Sequence, residues 1–197
     1  MRIISAKGAG SDWADYSSAS DKVKADLKAP GSNTGDAAGD VYVSIEHLRG
    51  TGFKDVLLGD DFANRIEGLA KNDNISGRDG NDTLAGGAGK DTLKGGAGAD
   101  RFVLASVNAA DADKISDFAS GDRIELDSAL YGLPVGALPG NRFVTGTAAG
   151  DGNDRIIYND ANGKLYFDAD GTGAQAQVLI ATISNLATLS AGDFVVI

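Results

Sequence analysis

The sequence predicts an all-β fold: a parallel β-roll of short stacked strands, closed at its C-terminal end by an antiparallel β region. Three observations predict it. Six nine-residue blocks run without a gap over residues 50–103, reading GTGFKDVLL, GDDFANRIE, GLAKNDNIS, GRDGNDTLA, GGAGKDTLK and GGAGADRFV. Each block carries an Asx at its sixth position (Asp55, Asn64, Asp73, Asp82, Asp91, Asp100) and an apolar residue at its eighth (Leu57, Ile66, Ile75, Leu84, Leu93, Phe102). Beyond residue 103 the period stops and short alternating apolar stretches take over, separated by turn-forming clusters. A fixed period of this length is the mark of a solenoid whose rungs share one core. The organisation expected is a roll over residues 1–103, with irregular N-terminal rungs, and a cap over 104–197.

The elements follow in order. In residues 1–49, the clusters Gly8-Ala9-Gly10-Ser11-Asp12 and Pro30-Gly31-Ser32-Asn33 read as turns. Val41-Tyr42-Val43-Ser44-Ile45 reads as a strand, and the alternation of Val23, Ala25 and Leu27 favours a strand over residues 21–28. Leu48 lies nine residues before Leu57, so the ladder is expected to begin one rung early. Within the array each block is a Gly/Asp-rich turn followed by a very short strand centred on its apolar residue. Two blocks complete one coil, which puts Asp55, Asp73 and Asp91 on one edge and Asn64, Asp82 and Asp100 on the other. In the cap, residues 115–118 and 122–126 read as strands around Ala119-Ser120-Gly121. Residues 154–158 and 164–168 flank Asn159-Asp160-Ala161-Asn162-Gly163 as a hairpin, and residues 178–183 and 194–197 are further strands.

Composition narrows the function. The chain has 28 acidic and 18 basic residues in 197, a net charge of -10, which argues against nucleic acid and anionic membrane surfaces and favours cations. There is no Cys, so disulfides and zinc thiolate sites are excluded. No apolar run is long enough to span a bilayer. The N-terminus, Met1-Arg2-Ile3-Ile4-Ser5-Ala6-Lys7, lacks the apolar stretch of a secretory signal peptide.

Carboxylates repeated at strand spacing, about 4.8 Å, repel one another unless a cation lies between them. Calcium suits such a site, because it takes 6–8 oxygen ligands in flexible geometry. Magnesium demands a stricter octahedron, and zinc or copper would want His or Cys, of which His47 is the single example. The blocks are unequal. Asn64 lowers the charge of its turn, and Phe53 and Phe62 replace the fourth-position Gly in the first two blocks. Calcium is therefore expected between the Asp73 and Asp91 turns and between the Asp82 and Asp100 turns, with the earlier turns as metal-free rungs.

At these residues the chain resembles the RTX (repeats-in-toxin), or hemolysin-type, calcium-binding proteins, including the C-terminal rolls of serralysin-like proteases and alginate epimerases. The blocks over residues 77–103 carry the resemblance most closely. It extends to Phe102-Val103-Leu104, to Asp113-Lys114-Ile115-Ser116-Asp117-Phe118, to Gly121-Asp122-Arg123-Ile124 and to the C-terminal Asp193-Phe194-Val195-Val196-Ile197. The resemblance implies a right-handed roll. It also implies a ligand set in which carbonyls of the first and third positions of one turn join those of the second and fourth positions of the turn stacked on it. On that pattern Gly77, Asp79 and Asp82 would face Gly96, Gly98 and Asp100. Gly68, Ala70 and Asp73 would face Gly87, Gly89 and Asp91. Asp113 would close the last site, with Ser106 at its usual partner's position. The resemblance further implies export from a Gram-negative bacterium by a type I exporter that reads an uncleaved C-terminal signal, with folding on extracellular calcium.

Other features read as structure. Asp168-Ala169-Asp170-Gly171-Thr172-Gly173 is a tight turn and not an EF-hand, whose acidic twelfth position would be Leu179. His47 has no His-Glu-x-x-His partner, and no Gly-x-Ser-x-Gly elbow is present, so no enzyme is expected. Trp13, Tyr16, Tyr42, Tyr158, Tyr166 and Phe167 would form a sugar-stacking platform if they shared a surface, making an extracellular polysaccharide a further partner; packing is the expected role. The function expected is a secreted calcium-binding β-roll protein. The alternative is a non-catalytic export, stability or polysaccharide-binding module of a larger secreted enzyme.

Overall fold

The computed structural model describes residues 3–5, as backbone, and residues 10–197. The remaining residues, 1–2 and 6–9, which include Gly8-Ala9 of the first turn cluster, lie outside the described residues. The strands of the N-terminal part are β1 (Ile3–Ser5), β2 (Trp13–Asp15), β3 (Lys24–Asp26) and β4 (Val41–Val43). The array supplies β5 (His47–Arg49), β6 (Val56–Leu58), β7 (Arg65–Ala70), β8 (Asn74–Asp79), β9 (Thr83–Ala88), β10 (Thr92–Ala97) and β11 (Arg101–Leu104). Then follow β12 (Asp113–Ile115), β13 (Arg123–Leu126), β14 (Gly136–Ala137), β15 (Phe143–Thr145), β16 (Ile156–Asn159), β17 (Lys164–Phe167), β18 (Val178–Ile183) and β19 (Phe194–Val196). Among the described residues the single α-helix, α1 (Ser128–Tyr131), is one turn long.

Successive array strands alternate between two sheets. One holds β3, β6, β8, β10, β12 and β18, and the other holds β2, β5, β7, β9, β11, β13 and β19, neighbours pairing in parallel. Within the array the register advances by 18 residues per coil, Asn74 lying beside Val56 and Thr92 beside Asn74. This is the two-block coil that the period requires. The inward residues form two ladders, each fully buried: Ala25, Leu57, Ile75, Leu93, Ile115 and Ile183 on one sheet, and Ala14, Leu48, Ile66, Leu84, Phe102, Ile124 and Phe194 on the other. Facing ladders of this kind supply the core, because each strand is too short to bury a face of its own.

The roll is longer than the nine-residue period suggests. At its N-terminal end, β2 and β3 add rungs before Leu48, with Ala14 and Ala25 in the apolar places. β4 pairs instead with β1, outside both large sheets. Parallel stacking also runs on past residue 103. The segments at 115–118 and 122–126 do not form a hairpin: β12 and β13 lie in opposite sheets, and residues 119–122 turn the corner between them. The physical cause is a longer connection. Asp91 is followed on its edge by Asp113 and Asp100 by Asp122, 22 residues on in each case, so the register resumes after four inserted residues. Among the described residues antiparallel pairing is found for β14 with β19, for β16, β17 and β18, and in a single Lys24–Thr34 bridge; the β16–β17 hairpin turns at residues 160–163 as its sequence indicates.

Candidate metal centre

Each corner of the array over residues 50–100 is a turn whose sixth residue folds its side chain back inside. A Cβ on the first-position glycine would overlap that side chain, as Gly68 would with Asp73 Oδ2 and Gly77 with Asp82 Oδ2. Glycine is therefore required by space. At the second and fourth positions it is favoured by conformation: φ is +98° at Gly87, +128° at Gly89, +110° at Gly96 and +141° at Gly98. Leu69, Lys71 and Arg78 hold the same left-handed region without being glycine, at φ of +81°, +75° and +84°. Such residues are strained by roughly 1–3 kcal/mol each.

The sixth-position side chains form one ladder along each edge. On the first, the Asp55 N–H donates to Asp73 Oδ1 (2.7 Å), the Asp73 N–H to Asp91 Oδ1 (2.7 Å) and the Asp91 N–H to Asp113 Oδ1 (3.0 Å). On the second, the Asn64 N–H donates to Asp82 Oδ1 (2.8 Å), the Asp82 N–H to Asp100 Oδ1 (2.9 Å) and the Asp100 N–H to Asp122 Oδ1 (2.9 Å). Each Oδ1 thus holds the preceding turn. What the second oxygen does separates the rungs. Asp55 Oδ2 accepts the Thr51 N–H (2.6 Å), Asn64 is bonded through both its amide atoms, and Asp122 Oδ2 accepts the Ala119 N–H (2.8 Å). The Oδ2 atoms of Asp73, Asp82, Asp91 and Asp100 are buried with no hydrogen-bond partner.

Four orphaned carboxylate oxygens on residues no more than 2% exposed are the unusual chemistry of this chain. Buried polar groups are otherwise almost always paired. Burial pushes the carboxyls of Asp73 and Asp82 up to about 7, that of Asp100 up to about 6 and that of Asp113 up to about 8, and raises those of Asp91 and Asp122. Neighbouring carboxylates add to the effect, Asp91 and Asp55 for Asp73 and Asp100 for Asp82. The orphans come in stacked pairs, Asp73 with Asp91 and Asp82 with Asp100. A hard cation between each pair fits this donor set. Among the described residues no three carboxylate or imidazole side chains converge, so a cation would take its other ligands from backbone carbonyls.

The structure stacks turn 68–73 against 86–91 and turn 77–82 against 95–100, bringing Gly68, Ala70 and Asp73 to Gly87, Gly89 and Asp91, and Gly77, Asp79 and Asp82 to Gly96, Gly98 and Asp100. The carbonyls aimed across these interfaces keep the alternation that the resemblance implies, with the parts of the two stacked turns exchanged. A Cβ on Gly96 or Gly98 would overlap the carbonyl oxygen of Arg78 or Gly80, and one on Gly87 or Gly89 that of Leu69 or Lys71. Second- and fourth-position carbonyls therefore point from the lower turn up to the next. First- and third-position carbonyls point down: Gly77 O reaches toward Gly59, Gly86 O toward Gly68, and Ala97 O accepts the Gly80 N–H (2.8 Å). Positive φ at every second residue of the turn produces this alternation. The oxygens facing the cation positions thus belong to Leu69, Lys71 and Gly86 on one edge, and to Arg78, Gly80 and Ala97 on the other. That of Gly77 faces the neighbouring interface with Gly59.

Asp113 continues the first ladder, while the Ser106 hydroxyl bonds Asp111 Oδ2 (3.0 Å). Asp122 was the ladder residue that the period missed. Its signal lies in the sequence: Asp113-x-Ile115 and Asp122-x-Ile124 repeat the sixth- and eighth-position marks nine residues apart. His47 packs on the Trp13 ring (centroids 4.9 Å apart) and accepts the Arg65 N–H. Tyr16, Tyr158 and Phe167 are buried in the core, so the six aromatics named above form no common sugar-stacking platform. Asp168 closes a tight turn by accepting the Asp170 and Gly171 N–H groups on Oδ1.

The chain matches the family model for the RTX calcium-binding nonapeptide repeat (4 copies) over residues 49–84, 58–93 and 76–106. No curated protein sequence is matched. Among solved structures it is similar to the solution structure of the AlgE6R3 subunit from the Azotobacter vinelandii mannuronan C5-epimerase, at 29% identity over 76% of this chain and 79% of that one, with a TM-score of 0.45.

Proposed function

We propose that this chain, which matches the RTX calcium-binding nonapeptide repeat over residues 49–106, is a calcium-binding β-roll protein that folds on calcium outside the cell after type I export. The observation that carries the proposal is the set of four orphaned Oδ2 atoms. At neutral pH these buried carboxylates repel one another and their Oδ2 atoms lack donors, and an unpaired buried charge costs several kcal/mol. Bound calcium would supply the neutralising charge and accept oxygen ligands from both stacked turns. The chain's part is to hold paired Asp side chains and left-handed turns ready for it. Because the paired turns exist only in the folded state, calcium binding stabilises that state, by about 2.7 kcal/mol per site at a hundredfold excess over Kd. Scarce cytosolic calcium would leave the chain unfolded for the exporter, and extracellular calcium would fold it. No helix among the described residues is long and apolar enough to cross a membrane.

The proposed role is non-catalytic. Calorimetric titration tests the binding directly. Two tight calcium ions per chain are expected, one lost with Asp73→Asn plus Asp91→Asn and the other with Asp82→Asn plus Asp100→Asn. Asp55→Asn should leave both. Binding that survived both double changes would refute the assignment.

A further inference from the structure

Arg78 ties turn 77–82 to the N-terminal segment around Asp26 by a partly buried ion pair. Its backbone sits at the second position of turn 77–82, where its carbonyl oxygen rises against Gly96 into the interface lined by the orphaned Asp82 and Asp100 oxygens. Its side chain runs the other way. The guanidinium pairs with both oxygens of Asp26 (2.8 Å each) and donates to the Gly59 carbonyl. Asp26 is only 4% exposed and organises the segment around it, its Oδ1 accepting the Lys28 and Ala29 N–H groups and its own N–H donating to Asn33 Oδ1. One residue thus touches the cation interface with its backbone and the N-terminal segment with its side chain.

The conformation of Arg78 makes this a linkage. At φ +84° it holds a region that glycine occupies in the last two blocks. A non-glycine residue stays there only when its surroundings over-determine it. The two-pronged ion pair to Asp26 is such a determinant, being charge-assisted and geometrically specific. Released from Asp26, the residue is free to relax to negative φ, which turns its carbonyl out of the interface.

We infer that Arg78 is a positioning residue, coupling the docking of segment 24–33 to calcium affinity at the 77–82/95–100 edge. The inference rests on the proposed calcium sites. By linkage the coupling is reciprocal, so calcium at this edge should also secure the N-terminal segment.

Calcium titrations of the full chain test it, each edge being read with the other silenced by its Asp→Asn pair. Asp26→Asn should weaken the 77–100 edge roughly tenfold, the scale of the strain it unmasks, and the 68–91 edge less than about twofold. In an Arg78→Gly chain, Asp26→Asn should make no further change at the 77–100 edge. Arg78→Gly should bind more tightly there than Arg78→Ala, since glycine alone takes the left-handed conformation freely. Calcium at this edge should slow amide exchange at Asp26, Lys28 and Ala29. Equal losses at both edges, or an undiminished Asp26→Asn loss in the Arg78→Gly chain, would overturn the coupling while leaving the calcium sites standing. A wild-type chain that takes up no calcium would overturn both.

Discussion

Replacing Asp82 by asparagine should stabilise the protein in chelator and weaken it in calcium, an inversion that few other accounts of the ladder produce. Asp82 is fully buried, its Oδ1 holds the Asn64 N–H and its Oδ2 has no partner. Asparagine keeps the acceptor and removes the charge. The carboxyl is pushed up to about 7 by burial, and against an ordinary value near 3.9 that corresponds to a ceiling of about 4 kcal/mol well above pH 7. Relaxation of the turn reduces the expected gain to about 2 kcal/mol. At about 2.1 cal/mol/K per residue, a chain of this length should then melt about 5 °C higher. Asp55→Asn should do the opposite. Both Asp55 oxygens accept hydrogen bonds from Thr51 or Val23, so an amide NH2 there faces a donor and costs about 1–3 kcal/mol, with or without calcium. The assay is the urea midpoint by circular dichroism at pH 8, or, for a chain unfolded in chelator, the osmolyte concentration at which it folds. A lower midpoint for Asp82→Asn in chelator would refute the claim that its charge is a burden without a cation.

Further outcomes follow from the same geometry. Leu84→Ala removes a fully buried ladder residue and should cost about 2–5 kcal/mol of the calcium-bound protein's stability, read by its urea midpoint. Lys71→Gly should raise that midpoint through a stability gain of up to about 1 kcal/mol, the relief of φ +75° being partly offset by glycine's greater freedom in the unfolded chain. In chelator, the raised carboxyls of Asp73, Asp82, Asp100 and Asp113 contribute stability that is present near pH 4 and lost as pH rises through about 6–8. Chelated protein should therefore gain stability on acidification, while the calcium concentration needed for folding rises, because protons compete for the same oxygens.

The inner ladder and the pairing of turns were legible because each rests on a residue type at a fixed spacing. Leu57, Ile75 and Leu93 can occupy only one face of such a coil, and the first-position glycines are fixed by the side chains folded beneath them. The outer rungs were harder to read. Ala14 and Ala25 fill apolar places without a glycine turn to announce them, and the four inserted residues before Asp113 and Asp122 break the count even though the Asp-x-Ile mark persists. Carbonyl direction was least legible. It depends on which residues hold positive φ, and Leu69, Lys71 and Arg78 do so without being glycine. The resemblance therefore pointed to the right turns and the right alternation of positions, while which turn sends its second and fourth carbonyls across was not legible from residue type. The link from Arg78 to Asp26 joins residues far apart in sequence and carries no periodic signal.

Far-UV circular dichroism of the full chain, titrated from chelator to millimolar calcium near pH 8, tests the central claim most directly. The expected result is a cooperative gain of β structure with calcium, reversed by chelator and not reproduced by magnesium at equal concentration. A chain already fully β-structured in chelator, and unmoved by calcium in spectrum or melting temperature, would contradict it.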